Sequence, residues 1–274
     1  MARLGIILIL LLVVTSCVRI PQDINLLQSG PGGYSCSLAG THAAASGLTA
    51  EGFTVTTWNI CKGCGRRWVE DLRLLASHSD LLLLQEARME SHLKQLLQDS
   101  DLSWSLAHAF TLEGTPVGVL TGARVMPLAA CAQRITEPLL RVPKTALVSY
   151  YALDGSDQSL LVVNMHGVNF VPGSTELARQ LHAVQKVVFE HDGPVIVAGD
   201  FNTWSARRMA ELQKLAQRAG LQPVTFEGSP SRHFGRQLDH VYYRGLVPQH
   251  AWVTALQSSD HYPLSVTFKL DSKI

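Results

Sequence analysis

The chain has 274 residues, of which 46% are hydrophobic and 16% are charged, and its formal net charge is +1 at pH 7. This composition excludes a disordered protein, and the length is sufficient for one large core that needs no cross-links. The near-zero net charge excludes the broad positive field of proteins that bind nucleic acid indiscriminately. The 5 cysteines are too few for a disulfide scaffold, and no apolar run reaches the ~20 residues that a bilayer-spanning helix needs.

The first residues have the pattern of an export signal. A positive charge at Arg3 precedes an apolar run at residues 4–14, which is too short to span a bilayer. Small residues then precede Cys17, as in the lipobox of bacterial lipoprotein signals. We therefore predict a signal peptide at residues 1–16 and a lipid anchor on Cys17, and the residue Val18 in place of an aspartate favours the outer membrane. The alternatives are an ordinary secretory signal, with a periplasmic product, and an uncleaved anchor.

Residues 61–64 form a CxxC motif, which is typical of redox pairs and of zinc sites. The chain has no second CxxC to complete a zinc site, and no thioredoxin-like βαβ pattern surrounds this one. We therefore interpret Cys61 and Cys64 as a local disulfide or as two free thiols, since an exported compartment permits disulfides.

The predicted elements begin after residues 17–51, whose Gly, Pro, Ser and Ala content indicates a flexible tether. β-branched and aromatic residues then predict a strand at 53–60, and helical spacing follows at 66–77. A short, fully apolar run at 81–85 is typical of a buried strand. This half ends with a helix at 89–98 and strands near 104–110, 117–121, 124–135 and 145–153.

The second half continues with a buried strand at 160–165 and a helix at 175–190 that Ser174 is placed to cap. A strand at 194–198 precedes a helix that begins after Ser205 and ends before Gly220. Strands outnumber helices and mix with them without a linker, so we predict one α/β domain at residues 52–274. The last predicted strands are 238–243, 251–256 and 264–268.

Polar motifs stand at the ends of the predicted strands, which is where the functional sites of α/β sheets collect. Oxygen ligands suit Mg²⁺ or Mn²⁺ rather than zinc, and neighbouring histidines suit proton transfer at a phosphoryl group. A single Asp or His is more often a turn, cap or buried polar residue than a catalyst, so only the ordered series is informative. In chain order the series comprises Asn59, Glu86, His166, Asn169, Asp200, Asn202, Asp239, Asp260 and His261.

This series resembles the endonuclease/exonuclease/phosphatase superfamily over residues 53–268. The most specific motifs are Gly-Asp-Phe-Asn at 199–202 and Ser-Asp-His at 259–261, and Leu-Gln-Glu at 84–86 supports them. Residues 147–202 look most like a bacterial branch known only as predicted hydrolases. The resemblance implies a four-layer α/β sandwich, with two mixed β-sheets packed face to face and helices on the outside. It also implies Mg²⁺-dependent cleavage of phosphodiesters or phosphomonoesters.

By that resemblance Glu86 is the principal metal ligand, assisted by Asn59 and Asp260. The cation would be Mg²⁺, with Mn²⁺ as the alternative, and it would neutralise phosphate charge and stabilise the leaving oxygen. One-metal and two-metal schemes both stay open at this point.

The resemblance also assigns catalytic roles to five residues. Asp200 would orient or deprotonate the attacking water, and Asn202 would hold water or phosphate. Asp239 would hydrogen-bond His261 and favour its charged form. His261 and His166, both expected to be cationic, would bind the phosphoryl oxygens as charge develops.

Basic and amide side chains near these motifs are candidates for binding the substrate phosphate. Arg141 and Lys144 precede the strand at 145–153, where family members place a basic residue. Asn169 follows the His166 motif, and Arg232 and Arg236 lie in the polar loop before Asp239. An arginine would bind phosphate through two hydrogen bonds, whereas a lysine offers a point charge.

These observations favour a metal-dependent phosphoesterase, expected to be a monomer, on the bacterial cell envelope. Three substrate classes stay open, namely nucleic acid, phospholipid headgroups and small nucleotides. The alternatives are a non-catalytic lipoprotein that uses the fold as a binding module, and a secreted nuclease. An inactive relative would be expected to lose a motif residue, and this chain retains the whole series.

Overall fold

A computed structural model describes residues 18–30, 46–138, 141–171, 173–233 and 235–272. The strands of the first half are β1 (Val18–Arg19), β2 (Asn25–Gln28), β3 (Leu48–Thr49), β4 (Phe53–Asn59), β5 (Leu81–Arg88), β6 (Ser103–Leu112), β7 (Thr115–Ala123), β8 (Ala129–Thr136) and β9 (Pro143–Asp154). Those of the second half are β10 (Ser159–His166), β11 (Val195–Asp200), β12 (Gln222–Pro223), β13 (Arg232–His233), β14 (Arg236–Gln237), β15 (Asp239–Arg244), β16 (Leu246–Val253) and β17 (Leu264–Leu270).

The α-helices in these ranges are α1 (Trp68–Ser77), α2 (Ser91–Asp99), α3 (Thr175–Phe189) and α4 (Ala206–Arg218). A 3₁₀ turn at Cys61–Gly63 follows β4. Among the described helices, none combines the length and the apolar character that crossing a membrane requires.

The strands form two large mixed sheets. The order in the first sheet is β1-β6-β7-β5-β4-β17-β16, with β2 also paired to β6, and the order in the second is β12-β15-β11-β10-β9-β3, with β8 paired to β9. Strands β4 and β5 are parallel, as are β10 and β11. Each parallel pair therefore directs its carboxyl ends to one edge of its sheet, and β15, antiparallel to β11, begins at that edge.

Both faces of each sheet are apolar, which explains the layered architecture. Leu82 and Leu84 of β5 belong to a buried cluster with α1 and α2, whereas Leu81 and Leu83 belong to the cluster between the sheets. Ile196 of β11 reaches the same inter-sheet cluster, and its neighbours in the strand pack with α3 and α4. The predicted fold class, an α/β sandwich of two mixed sheets between helices, is confirmed.

Several predicted boundaries were wrong. The predicted tether contains β1 and β2, which add to the edge of β6; strands this short leave no periodicity in a sequence. The β8 strand begins at Ala129 rather than at 124, and β16 occupies Leu246–Val253 rather than 251–256. Ser174 precedes α3 without a side-chain capping bond, because its φ of −127° and ψ of 0° depart from the extended cap geometry.

Candidate active site

Three polar residues lie side by side at one edge of the second sheet. His166 ends β10, Asp200 ends β11 and Asp239 begins β15, and the strand register pairs His166 with Asp200 and Asp200 with Asp239. Gly199 makes this row possible, since a Cβ at that position would lie 2.0 Å from the carbonyl oxygen of Met165 on β10. The predicted convergence at the strand ends is therefore present in this sheet.

The first sheet contributes Glu86 through a distortion of β5. The register of β5 against β7 shifts between Leu84 and Ala87, and Glu86 has a φ of 53°. Bulges of this kind re-aim side chains beside active sites, and a non-glycine residue at positive φ is held there by its surroundings. The bulge turns the Glu86 carboxylate toward the second sheet.

A cavity of about 360 Å³, here called the polar cavity, lies where these two edges meet. All three predicted metal ligands, Asn59, Glu86 and Asp260, line this one cavity, as the sequence predicts. Asp239 contacts the cavity indirectly, because it accepts a hydrogen bond from His261, which lines the cavity. The predicted residues that line it are Asn59, Glu86, Lys144, His166, Asn169, Asp200, Asn202, Asp260 and His261.

Basic side chains surround the Glu86 carboxylate. Lys62 Nζ forms an ion pair with Oε2, and both Lys144 Nζ and His166 Nε2 lie 3.8 Å from Oε1. Burial raises the pKa of Glu86, but His166, Lys144 and Lys62 together outweigh it and lower this pKa to about 2. Glu86 is therefore ionised at every physiological pH, as a metal ligand must be.

His166 differs from the sequence prediction because it is neutral. Its Nε2 accepts a hydrogen bond of 3.0 Å from Lys144 Nζ and lies 3.4 Å from Asp200 Oδ2. Burial, followed by the charge of Lys144, lowers the pKa of His166 to about 4 despite the opposing carboxylates. The expectation of two cationic histidines is wrong for His166, since burial beside an ammonium group disfavours a second positive charge.

Asp200 is almost fully buried and is held by donors on several sides. Its Oδ1 accepts the backbone N–H of Asn202 at 2.9 Å, and its Oδ2 accepts Asn59 Nδ2 at 3.0 Å. Asn202, at a φ of 52°, also donates from Nδ2 to the carbonyl oxygen of Gly167 at 2.9 Å. Asp200 thus has a fixed orientation, with His261 Nε2 3.9 Å away.

His261 is the cationic histidine of the site. Its Nδ1 donates to Asp239 Oδ2 at 2.7 Å. Burial lowers the pKa of His261, but the charge and hydrogen bond of Asp239, with further contributions from Asp200 and Asp260, raise it to about 10. The predicted pairing of Asp239 with His261 is therefore present.

The predicted phosphate-binding residues divide into two groups. Lys144 and Asn169 line the polar cavity, and Asn169 Oδ1 accepts a hydrogen bond from Trp204 Nε1 at 3.1 Å. Arg141 and Arg236 are exposed and are not among the described residues lining it, so the structure does not support their predicted role. The backbone of Arg232 lies in β13, but its side chain lies outside the described part of the chain, as does Cys17.

Sequence reasoning missed Lys62. It lies within the CxxC motif, where a disulfide joins Cys61 to Cys64 across a Cα–Cα distance of 5.4 Å. The 3₁₀ turn that the disulfide encloses places the Lys62 ammonium on Glu86. A cation in a turn immediately after the Asn59 motif is a signal that could have indicated it.

The donor set fits a hard divalent cation. Glu86 and Asp260 present carboxylates to the polar cavity. Asn59 Oδ1 already accepts the Cys61 N–H at 3.0 Å through one lone pair, and its other lone pair could bind the cation. Asp200, Asp239 and His261 also offer ligand atoms within 4.8 Å of one another. We favour the Glu86 side, because its candidate ligand atoms are all oxygens, which Mg²⁺ and Mn²⁺ prefer, whereas the other set includes an imidazole nitrogen.

Comparison with known proteins agrees with this geometry. The model of the Endonuclease/Exonuclease/phosphatase family matches residues 56–261, a span that includes every motif of the polar cavity. The chain belongs to the endonuclease/exonuclease/phosphatase family. Members of this family are divalent-metal-dependent hydrolases that act on phosphoester bonds.

The chain is also similar in sequence to curated bacterial proteins and in fold to solved structures. A UPF0294 protein of Vibrio campbellii is 41% identical over 221 residues, covering 80% of this chain and 78% of the relative. One of Yersinia pseudotuberculosis is 43% identical over 223 residues, covering 81% and 85%. The human Nocturnin catalytic domain, with bound sulfate, superposes with a TM-score of 0.63 at 17% identity, covering 82% of this chain and 97% of that domain. An endonuclease/exonuclease/phosphatase from Beutenbergia cavernae gives 0.62 at 18% identity, covering 80% and 72%.

Proposed function

We propose that the protein is a Mg²⁺-dependent phosphoesterase that hydrolyses a phosphodiester or phosphomonoester by attack of water. The observation that supports this is the polar cavity, in which Glu86 and Asp260 face the buried Asp200 and the His261–Asp239 ion pair. A fold retained only for binding would not require this complete set.

Glu86 and Asp260, with Asn59, would hold the divalent cation, with Mn²⁺ as an alternative to Mg²⁺. When bound, the cation neutralises phosphate charge and stabilises the leaving oxygen. Lys62 and Lys144 flank Glu86 and provide further positive charge for a phosphoryl group. A substrate phosphate therefore enters a site whose charge is complementary to it.

The Asp200 side performs the proton chemistry. The fixed carboxylate of Asp200 orients the attacking water and accepts its proton. His261, cationic through Asp239, donates hydrogen bonds to the phosphoryl oxygens as negative charge develops. Neutral His166, hydrogen-bonded by Lys144, orients the phosphoryl group against Asp200.

We also propose that the enzyme acts on the cell envelope. The sequence of residues 1–17 supports this, because it has the order of a lipoprotein signal ending at Cys17. Metabolic labelling of the full chain with a radioactive fatty acid tests it. Label in the wild type and not in Cys17→Ser is the expected result, and equal labelling of both would contradict it.

Hydrolysis of bis-p-nitrophenyl phosphate by the purified protein tests the activity. We expect p-nitrophenol release with Mg²⁺, its loss with EDTA, and a loss of about 100-fold or more in Glu86→Ala and in Asp200→Ala. Activity that survives EDTA, or that persists in both variants, would contradict the proposal.

A further inference from the structure

A second cavity of about 290 Å³ adjoins the polar cavity. It lies between the β6–β7 pair of the first sheet and the start of β9 in the second. The two cavities share Lys62, Glu86, Lys144, His166 and Phe170. A ligand whose phosphoryl group occupies the polar cavity can therefore extend directly into the second one, here called the apolar cavity.

The walls of the apolar cavity are hydrocarbon beyond the shared end. They are formed mainly by Val18, Phe110, Leu112, Val117, Val119 and Val142. The polar side chains among the remaining described lining residues are Thr145 and Glu137, and both are buried. Thr145 Oγ1 donates to the carbonyl oxygen of Ala107 at 3.2 Å. Glu137 Oε1 accepts the Asn169 N–H at 2.6 Å, and its Oε2 is shielded from solvent without a hydrogen-bond partner among the described residues.

These walls decide between the substrate classes. A nucleobase carries several donors and acceptors, which would lose their hydrogen bonds to water without regaining them here. A hydrocarbon chain needs no such partners and is favoured by leaving water. The chemistry of the walls therefore selects a hydrocarbon group over a base.

We propose that the apolar cavity binds a hydrocarbon chain of the substrate, so that the substrate is a lipid-type phosphoester. This inference rests on the proposed phosphoesterase function, and it narrows the substrate to one class. Two features near the cavity support it. Phe170, which is 59% exposed, lies at the junction of the two cavities. Val18, on the cavity wall, directly follows the predicted lipid anchor, which would hold the cavity close to a bilayer.

A series of soluble p-nitrophenyl alkyl phosphodiesters tests the inference on the full chain with Mg²⁺. Methyl, hexyl and decyl esters are compared below their micelle concentrations, with the p-nitrophenyl ester of thymidine 5′-phosphate as the nucleotide arm. We expect kcat/KM to rise about fourfold per added methylene until the cavity is full. Equal rates along the series, or preference for the nucleotide, would overturn the inference.

Failure of the activity itself is a separate outcome. If no ester is hydrolysed, the phosphoesterase proposal fails, and calorimetry with decyl phosphate against methyl phosphate still tests the cavity. The inference predicts tighter binding of decyl phosphate by about tenfold or more. Equal affinity for the two phosphates would overturn it independently of catalysis.

Two variants locate the effect. Val142→Asp places a charge in the apolar wall, and Phe170→Ser removes the apolar residue at the junction. Each should lower the decyl-to-methyl ratio of kcat/KM by about tenfold. Phe170 is exposed, so its variant folds even if Val142→Asp does not. Phe189→Ser is the matched control, since Phe189 is 53% exposed at the end of α3, and it should leave the ratio unchanged. If Phe170→Ser and a folded Val142→Asp both keep the wild-type decyl-to-methyl ratio of kcat/KM, the assignment of the apolar cavity is contradicted.

Discussion

The two sides of the polar cavity come from different sheets and are built differently. On the first sheet, the Glu86 side chain is 20% exposed and its closest partner is Lys62, whose own side chain is 36% exposed. On the second sheet, Asp200 is 2% exposed and is held by short hydrogen bonds from Asn59 and Asn202. An ammonium group on a long, partly exposed lysine side chain can give way to a metal ion. A carboxylate fixed by hydrogen bonds is suited to orient a water molecule. The Glu86 side is therefore the exchangeable half of the site, and the Asp200 side is the pre-organised half.

The largest effect is expected on the pre-organised side. Asp200→Asn keeps the shape of the side chain but removes the base, so kcat should fall by about 10³-fold or more. The Mg²⁺ midpoint, which is the Mg²⁺ concentration that gives half the maximal rate, should change little. Steady-state hydrolysis of bis-p-nitrophenyl phosphate measures it, with the exposed Asp157→Asn as the control. A kcat near wild type would show that this side does not carry the proton chemistry.

Glu86→Gln tests the exchangeable side. The neutral amide is a weaker ligand, so we expect kcat/KM to fall about 100-fold and the Mg²⁺ midpoint to rise. A Mg²⁺ titration of the rate separates this variant from Asp200→Asn, whose loss no metal concentration should rescue. If the midpoint of Glu86→Gln stays unchanged, the metal binds elsewhere.

Asp239→Asn changes the pH dependence on the pre-organised side. Without Asp239 the pKa of His261 should fall from about 10 toward its ordinary 6.5, so activity at pH 8 should drop about 30-fold while activity at pH 6 is largely retained. Because the folded pKa lies above 6.5, the stability due to this pair is full below pH 6.5 and is lost as the pH rises through about 10. The pH dependence of the hydrolysis rate measures the first effect, and urea unfolding at pH 6 and pH 10 measures the second. If the activity of Asp239→Asn falls at the same alkaline pH as that of the wild type, this role of Asp239 is contradicted.

Lys62→Met should have the smallest effect. Removing the ammonium group that competes for Glu86 should lower the Mg²⁺ midpoint by up to about fivefold, since partly exposed ion pairs contribute little. Lys94→Met, on the exposed face of α2, is the matched control. A higher midpoint in Lys62→Met would mean that Lys62 assists metal binding instead of competing with it.

The sequence was most informative where apolar strands end in polar motifs. The runs before Glu86, His166 and Asp200 identified β5, β10 and β11, and because parallel strands end at a common edge, their convergence could be expected. The bulge at Glu86 could not be anticipated, since it depends on how β5 meets β7.

Electrostatic details and distant cations were the less predictable part. The neutral state of His166 follows from its burial beside Lys144. These two residues are neighbours in space but not in sequence. Arg141 and Arg236 have the right charge near the right motifs, yet their side chains are exposed away from the described lining of the polar cavity. Proximity in the chain does not fix where a long side chain points.

A double-variant cycle tests most directly whether both sheets act on one phosphoester. The kcat/KM of bis-p-nitrophenyl phosphate hydrolysis is measured at saturating Mg²⁺ for Glu86→Gln, Asp200→Asn and the two combined. If the two carboxylates serve the same reacting group, the combined variant should lose little more than the worse single variant. Losses that multiply, or a single variant with wild-type activity, would contradict a shared site.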